Sequence, residues 1–126
     1  MLLNLMTGLL LSLFTLATPA EAIPEVPGSD FKVLSDKTEN GIRKVTAQTS
    51  ELVCSSSIYI EINVKDKTIQ KCRYTHGCQG NLKGIGTLVV GMKVPDVIKK
   101  LEGVNCGNKG TSCPDQLARV LKSLNW

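Results

Sequence analysis

The sequence predicts an α+β fold in which three helices pack on one face of a small antiparallel sheet. Apolar and polar residues alternate from Ile58 to Val64, which is the period of a strand with one buried face. After Gly77 the apolar residues recur every three to four positions, which is the helical period. Strands therefore precede helices along the chain, an order typical of separate sheet and helix layers.

Two or three strands are expected. The first contains Ile58 to Val64, and Lys65-Asp66-Lys67 then turns the chain. A second extended run covers Thr68 to Thr75, and the short connection favours an antiparallel hairpin. In the three-stranded alternative, Ile42 to Gln48 adds an edge strand.

Three amphipathic segments follow the predicted sheet. Gly91 ends the first helix and Gly103 ends the second. Cys113 is the predicted N-cap of the third, Pro114 follows at the first helical position, and Asp115 favours the positive helix end. The buried faces contain Leu82, Ile85, Leu88 and Val89; then Val94, Val97, Ile98 and Leu101; then Leu117, Val120, Leu121 and Leu124.

The first 22 residues are predicted to be a signal peptide. The apolar run is shorter than a membrane span of about 20 residues, and Ala20-Glu21-Ala22 has the small-x-small pattern of a cleavage site. No basic residue precedes Lys32, which leaves an uncleaved anchor or a misassigned start as the alternatives. Residues 23–51 are then a linker with an optional edge strand, and residues 52–126 form the cysteine domain. A cleaved leader implies a secreted or periplasmic protein without a membrane segment; otherwise the location is cytoplasmic.

Charge and motifs exclude several function classes. The net charge is +4, the basic residues are scattered, and no aromatic residues interleave with them, which argues against nucleic-acid binding. The loop from Gly107 to Ser112 lacks the Gly-Lys-Ser/Thr order of a phosphate loop. His76 is the only histidine and is interpreted as a structural residue at a loop edge. The absence of HExxH and GxSxG argues against a stand-alone hydrolase.

The chemistry is predicted to reside in the cysteines. Cys54, Cys78, Cys106 and Cys113 are expected to converge at one end of the sheet, beside two helix beginnings, as ligands of zinc or an iron-sulfur cluster. Two disulfides between these residues are the first alternative, in an exported binding domain without catalysis. A redox pair of Cys106 and Cys113 is the second. Cys72 alternates along a strand and is interpreted as a buried apolar residue outside the site.

Three stretches carry a resemblance to a known family. The chain resembles the TSCPD domain from about Cys54 to Leu124. The resemblance implies a link to adenosylcobalamin-dependent ribonucleotide reductases and DNA synthesis, with a reductase-like protein as partner. It implies an accessory module rather than a complete reductase. The matching stretches are Gly77-Cys78-Gln79-Gly80-Asn81-Leu82-Lys83-Gly84-Ile85, Cys106-Gly107-Asn108-Lys109 and Thr111-Ser112-Cys113-Pro114-Asp115-Gln116-Leu117-Ala118.

A fainter resemblance is to iron-sulfur scaffold proteins of the NifU and IscU kind. Cys54, Cys78 and Cys113 stand in the order and setting of the scaffold cysteines. The chain differs at Ser55-Ser56 and at Ser112, where scaffolds carry an acidic residue and a histidine. This difference favours a permanently held metal, with Cys106 as the fourth ligand, over transfer of a labile cluster.

Overall fold

A computed structural model describes residues 30–125, and it has an α+β architecture as the sequence predicts. The four strands form one antiparallel sheet in the order β1-β2-β3-β4, and three helices follow. The predicted signal peptide, residues 1–22, lies outside the described residues. The elements are β1 Lys32–Glu39, β2 Ile42–Gln48, β3 Ser57–Asn63, β4 Thr68–Thr75, α1 Gln79–Leu88, α2 Val94–Leu101 and α3 Cys113–Ser123.

The sheet has four strands where two or three were expected, because β1 lies in the segment interpreted as linker. Nearly all of its residues are exposed, so this strand has no alternation of apolar and polar residues. Backbone pairing with β2 holds it at the sheet edge. Asn40 and Gly41 form the connecting turn with φ of 51° and 79°, the left-handed geometry that Asn-Gly adopts in tight hairpins.

The hydrophobic core lies between one face of the sheet and the helices. Ile58, Ile60 and Ile62 of β3 are fully buried, and they pack in one cluster with Leu117 and Leu121 of α3. Their neighbours along β3 are half-buried on the opposite face. The period-two pattern thus produces one apolar and one polar sheet face, as predicted.

Helix α1 packs closely along β4 at the edge of the sheet. Gly86 of α1 lies against the backbone carbonyl of Cys72, and a Cβ at this position would overlap that oxygen. The end of α1 is tied to the start of β4, because Ile69 N–H donates to Met92 O at 2.9 Å and Gly91 N–H donates to Ile69 O at 2.8 Å. Helix α1 therefore runs antiparallel to β4, with its N-terminus near the end of that strand.

Among residues 30–125, no helix combines the length and the apolar character needed to cross a bilayer.

Candidate functional site

The four cysteines predicted as ligands line one cavity of about 520 Å³. Cys54 lies in the loop between β2 and β3, and Cys78 is the N-cap residue of α1. Cys106 lies in the loop between α2 and α3, and Cys113 is the first residue of α3. Four separate segments therefore bring thiols to the same end of the sheet, beside two helix N-termini.

Cys54 and Cys113 form a sulfur pair in this cavity. Their Sγ atoms are 3.7 Å apart. Cys113 is only 5% exposed, whereas Cys54 is open to solvent. The Ser55 hydroxyl makes a hydrogen bond of 3.2 Å with Cys113 Sγ. The pair thus combines an accessible thiol with a buried one held by a hydroxyl.

The surroundings of Cys54 favour its thiolate form. The backbone N–H of Cys78 has the largest effect and lowers the pKa of Cys54, because it donates to the sulfur. Partial burial acts in the opposite direction, and the Cys113 thiol and the positive charge of Lys109 lower the pKa further. The backbone N–H at the N-cap of α1 therefore stabilises the thiolate form of Cys54.

Gly77 allows the approach of Cys54 to α1. Its φ is +96°, a conformation that favours glycine. A Cβ on Gly77 would lie 3.1 Å from Cys54 Sγ and 2.7 Å from a methyl carbon of Leu82. Glycine is therefore favoured at position 77 both by the backbone conformation and by the lack of space for a Cβ atom.

Ser112, not Cys113, is the N-cap of α3, which corrects the sequence prediction. The Ser112 hydroxyl accepts from Asp115 N–H at 3.1 Å and donates to Val104 O at 2.6 Å. A hydroxyl is the better cap because its oxygen accepts a hydrogen bond more strongly than a thiol sulfur. Cys113 is displaced by one residue into the first helical turn.

The remaining polar residues of the motif support the loop before α3. Asp115, 1% exposed, accepts from Gly103 N–H at 2.7 Å and from the Thr111 hydroxyl at 2.6 Å. Arg119 completes this arrangement with an ion pair of 2.7 Å to the same carboxylate. The threonine, serine and aspartate of the motif therefore position Cys113 and are not themselves candidates for chemistry.

Gln116 connects α3 to the loop that carries Cys54. Its side-chain oxygen accepts from Ser50 N–H at 3.0 Å, and its amide nitrogen donates to the Thr111 hydroxyl at 3.0 Å. Within the same loop, the Thr49 hydroxyl donates to Ser55 O at 2.6 Å. These bonds fix the backbone on both sides of the sulfur pair.

Sequence reasoning missed Ser55, Tyr74 and Lys109 as neighbours of the thiols. Ser55 could have been noted from its position next to Cys54. Tyr74 could not, because its hydroxyl reaches Cys113 O, at 2.9 Å, only through the packing of β4 against α3. Burial raises the pKa of Tyr74 above its usual range, which keeps this hydroxyl protonated as a donor.

Cys72 and His76 lie away from the cysteine cavity and line a second cleft between β4 and α1. Cys72 packs against the hydrophobic core, and burial raises its pKa to about 12. The exposed His76 has φ of 62°, and its Nδ1 is 2.8 Å from the Ser56 hydroxyl. Cys72 lies outside the cysteine cavity as predicted, but it is only partly buried. The structural role of His76 stays a prediction.

The cavity fits a thiolate metal centre in part. Two tetrahedral ligands at about 2.3 Å from zinc are about 3.8 Å apart, and the Cys54 and Cys113 sulfurs are 3.7 Å apart. Within residues 30–125, no group of three or more Cys, His, Asp or Glu side chains is gathered closely enough to hold a metal ion. The structure thus places one sulfur pair at ligand spacing, with Cys78 and Cys106 on the walls around it.

Comparison with known proteins identifies the family. No curated protein and no solved structure matches the chain. The likeness to NifU and IscU scaffolds stays a prediction. The model of the TSCPD domain matches residues 29–125, which include all four strands, all three helices and the four cavity cysteines. The protein belongs to the TSCPD domain family.

Proposed function

We propose that this TSCPD domain binds a soft metal centre, zinc or an iron-sulfur cluster, through Cys54, Cys78, Cys106 and Cys113. The observation that carries the proposal is the 3.7 Å separation of the Cys54 and Cys113 sulfurs inside a cavity lined by all four thiols. Soft thiolate ligands select these metals. Cys78 and Cys106 would complete the set of four.

Local charge supports thiolate ligands at this position. The N-termini of α1 and α3 are both directed to the cavity end of the fold, since Cys78 caps one helix and Cys113 begins the other. A helix N-terminus carries about half a positive charge. Lys109 adds a full positive charge at the cavity wall. Together these charges offset part of the repulsion among four thiolates around one centre.

Apolar residues form part of the cavity wall. Leu52, Val53, Ile85 and Leu88 line the cavity together with the cysteines. Apolar side chains next to the sulfurs lower the local dielectric constant, which strengthens sulfur–metal interactions. A zinc ion here would crosslink four segments of the chain, whereas an iron-sulfur cluster would carry electrons.

Elemental analysis of anaerobically purified full-length protein tests the metal centre. We expect about one zinc, or one cluster, per chain, with tetrahedral sulfur coordination in X-ray absorption. Cys54→Ser and Cys113→Ser should each abolish stoichiometric binding. Cys72→Ser is the matched control and should retain the metal, because Cys72 packs against the core and does not line the cysteine cavity. Metal-free protein under these conditions, or loss of metal in C72S alone, would refute the proposed ligand set.

We further propose an accessory role with a ribonucleotide reductase in deoxyribonucleotide synthesis. The support is family membership together with the reductase link that the TSCPD resemblance implies. The test is a turnover assay of an adenosylcobalamin-dependent reductase with and without the metal-loaded protein. Faster turnover that C54S and C113S fail to produce is the expected result. Equal turnover with and without the protein, together with no detectable binding, would contradict the role.

Export is proposed on the leader prediction alone. Expression with the leader intact should yield a mature chain that begins at Ile23. N-terminal sequencing of the secreted or periplasmic fraction checks this. An intact Met1 terminus in the cytoplasm would contradict it.

A further inference from the structure

The sulfur pair has a second chemical capacity that does not depend on a metal. A disulfide bond is about 2.05 Å long, and the Cys54 and Cys113 sulfurs are already in contact at 3.7 Å. An approach of about 1.7 Å separates this contact from a bond. The pair is therefore close to the geometry of a disulfide, although all five cysteines are free.

We propose that Cys54 and Cys113 are a reversible thiol–disulfide exchange site, with Cys54 as the residue that reacts with an external disulfide. The pairing differs from the redox pair of Cys106 and Cys113 considered from the sequence. The sulfur in contact with Cys113 Sγ belongs to Cys54. Cys106 instead lies in the loop between α2 and α3, where its backbone N–H donates to Thr111 O at 3.1 Å.

Accessibility assigns the two roles. Cys54 is exposed on the loop between β2 and β3, so an external disulfide can reach its sulfur. Cys113 is buried at the start of α3. Its backbone carbonyl is held by the Tyr74 hydroxyl at 2.9 Å, and its sulfur contacts the Ser55 hydroxyl at 3.2 Å. An external disulfide therefore meets Cys54 first, and Cys113 is positioned to resolve the product.

The exchange is balanced in two steps. In the first, the Cys54 thiolate attacks one sulfur of R–S–S–R; a Cys54–S–R bond forms, the external bond breaks, and R–S⁻ leaves. In the second, Cys113 loses its proton to solvent and its sulfur attacks Cys54 Sγ, expelling the second R–S⁻. Both protein thiols are oxidised by two electrons in total. The external disulfide is reduced to two thiols, which take up the proton released by Cys113 and the proton that Cys54 lost when its thiolate formed.

Oxidised glutathione is the probe, and full-length protein freed of metal by a chelator is the substrate. After alkylation of free thiols, peptide mapping should find one intramolecular disulfide joining Cys54 to Cys113. Cys113→Ser should instead accumulate glutathione on Cys54. In Cys54→Ser, modification of Cys113 should be at least about tenfold slower, because a buried thiol is poorly accessible. Cys72→Ser is the matched control and should still form the 54–113 bond, because Cys72 does not line the cysteine cavity.

Three outcomes would overturn the proposal. These are a disulfide that joins Cys106 to Cys113, stable glutathione adducts on Cys54 with Cys113 intact, and no reaction of the wild-type protein in buffers that oxidise free dithiols. Because the measurement uses metal-free protein, it is independent of the proposed metal centre. A protein that binds no metal can still form this disulfide, and a protein that binds metal tightly can fail to form it once the metal is removed.

Discussion

The hydroxyl of Tyr74 donates to the backbone carbonyl of Cys113 at 2.9 Å, joining β4 to the first turn of α3 across 39 residues of sequence. The same helix turn carries the buried sulfur of the candidate site. Tyr74 therefore connects the sheet directly to the position of Cys113. Its side chain also packs against the hydrophobic core.

Removing this hydroxyl should loosen the start of α3. Tyr74→Phe keeps the ring and deletes the donor, so we expect a loss of about 0.5–1.5 kcal/mol in the free energy of unfolding, together with faster alkylation of Cys113. Denaturant unfolding and thiol-labelling kinetics measure the two effects. Tyr59→Phe is the control, because the Tyr59 hydroxyl bonds Glu61 on the open sheet face. Equal effects of both substitutions would contradict the role of Tyr74.

Replacing the N-cap of α3 should destabilise the cysteine loop. Ser112→Ala removes the acceptor for Asp115 N–H and the donor to Val104 O, which we expect to cost about 1–2 kcal/mol. Ser123→Ala removes a hydroxyl that donates to Val120 O within the same helix. That control should change stability by less than about 0.5 kcal/mol. A larger loss in S123A than in S112A would disprove the capping assignment.

Two glycines of α1 should respond in opposite directions to the same substitution. Gly86→Ala places a methyl group against the Cys72 carbonyl on β4, so α1 must shift at an expected cost of about 1–3 kcal/mol. A Cβ atom at Gly84 would have no neighbouring atom within 4 Å. Gly84→Ala should therefore stabilise the helix by up to about 1 kcal/mol, because alanine has a higher helix propensity than glycine. Thermal and denaturant unfolding compare the variants. Stabilisation by G86A would show that α1 does not pack closely on β4.

The ion pair between Asp36 and Arg43 should make stability depend on pH in the acid range. Its two hydrogen bonds, of 2.8 and 2.6 Å, lower the pKa of the Asp36 carboxyl. A carboxyl with a lowered pKa in the folded state stabilises the fold above its unfolded pKa of about 3.9. The stabilisation is lost as pH falls from that value through the lower folded pKa.

Asp36→Asn tests this pH dependence. The variant should be less stable than the wild type near neutral pH, and the difference should shrink below about pH 4. Unfolding in denaturant across the acid range provides the measurement. Glu39→Gln is the control, since Glu39 forms only a long, exposed pair with Lys44 at 3.8 Å. A difference between D36N and wild type that stays constant with pH would contradict the assignment.

The sequence predicted the elements that have a repeating apolar pattern. β3, α2 and α3 bury such a pattern, and their positions follow from it. In α1, Leu82 is buried as predicted, but Leu88, which was predicted on the buried face, is 76% exposed. β1 has no buried face, since backbone pairing with β2 holds it, so no periodicity marks it. Asn40-Gly41 is a hairpin signal that could have revealed β1. The predicted strand count was therefore too low, because β1 is stabilised by backbone hydrogen bonds and not by side-chain burial.

The candidate site was predictable in its residues but not in its pairing. Helix starts and strand ends indicated that the four cysteines lie at one end of the sheet, and all four line the same cavity. The contact of Cys54 with Cys113 joins residues 59 apart in sequence. It depends on the Gln116 bond to Ser50 and on the close approach at Gly77. Long-range contacts of this kind leave no spacing signal in a single sequence.

The bond from Ser50 N–H to Gln116 has a consequence for biosynthesis. This bond of the loop that carries Cys54 forms only when α3 is docked, because the partner of Ser50 is a side chain of that helix, 66 residues later. During translation, the chain up to α2 can emerge from the ribosome while Cys54 and Cys78 still lack Cys113. The two sulfurs at ligand spacing thus come together only after α3 has been synthesised, so neither a metal ion nor an oxidant finds the finished pair on a shorter nascent chain.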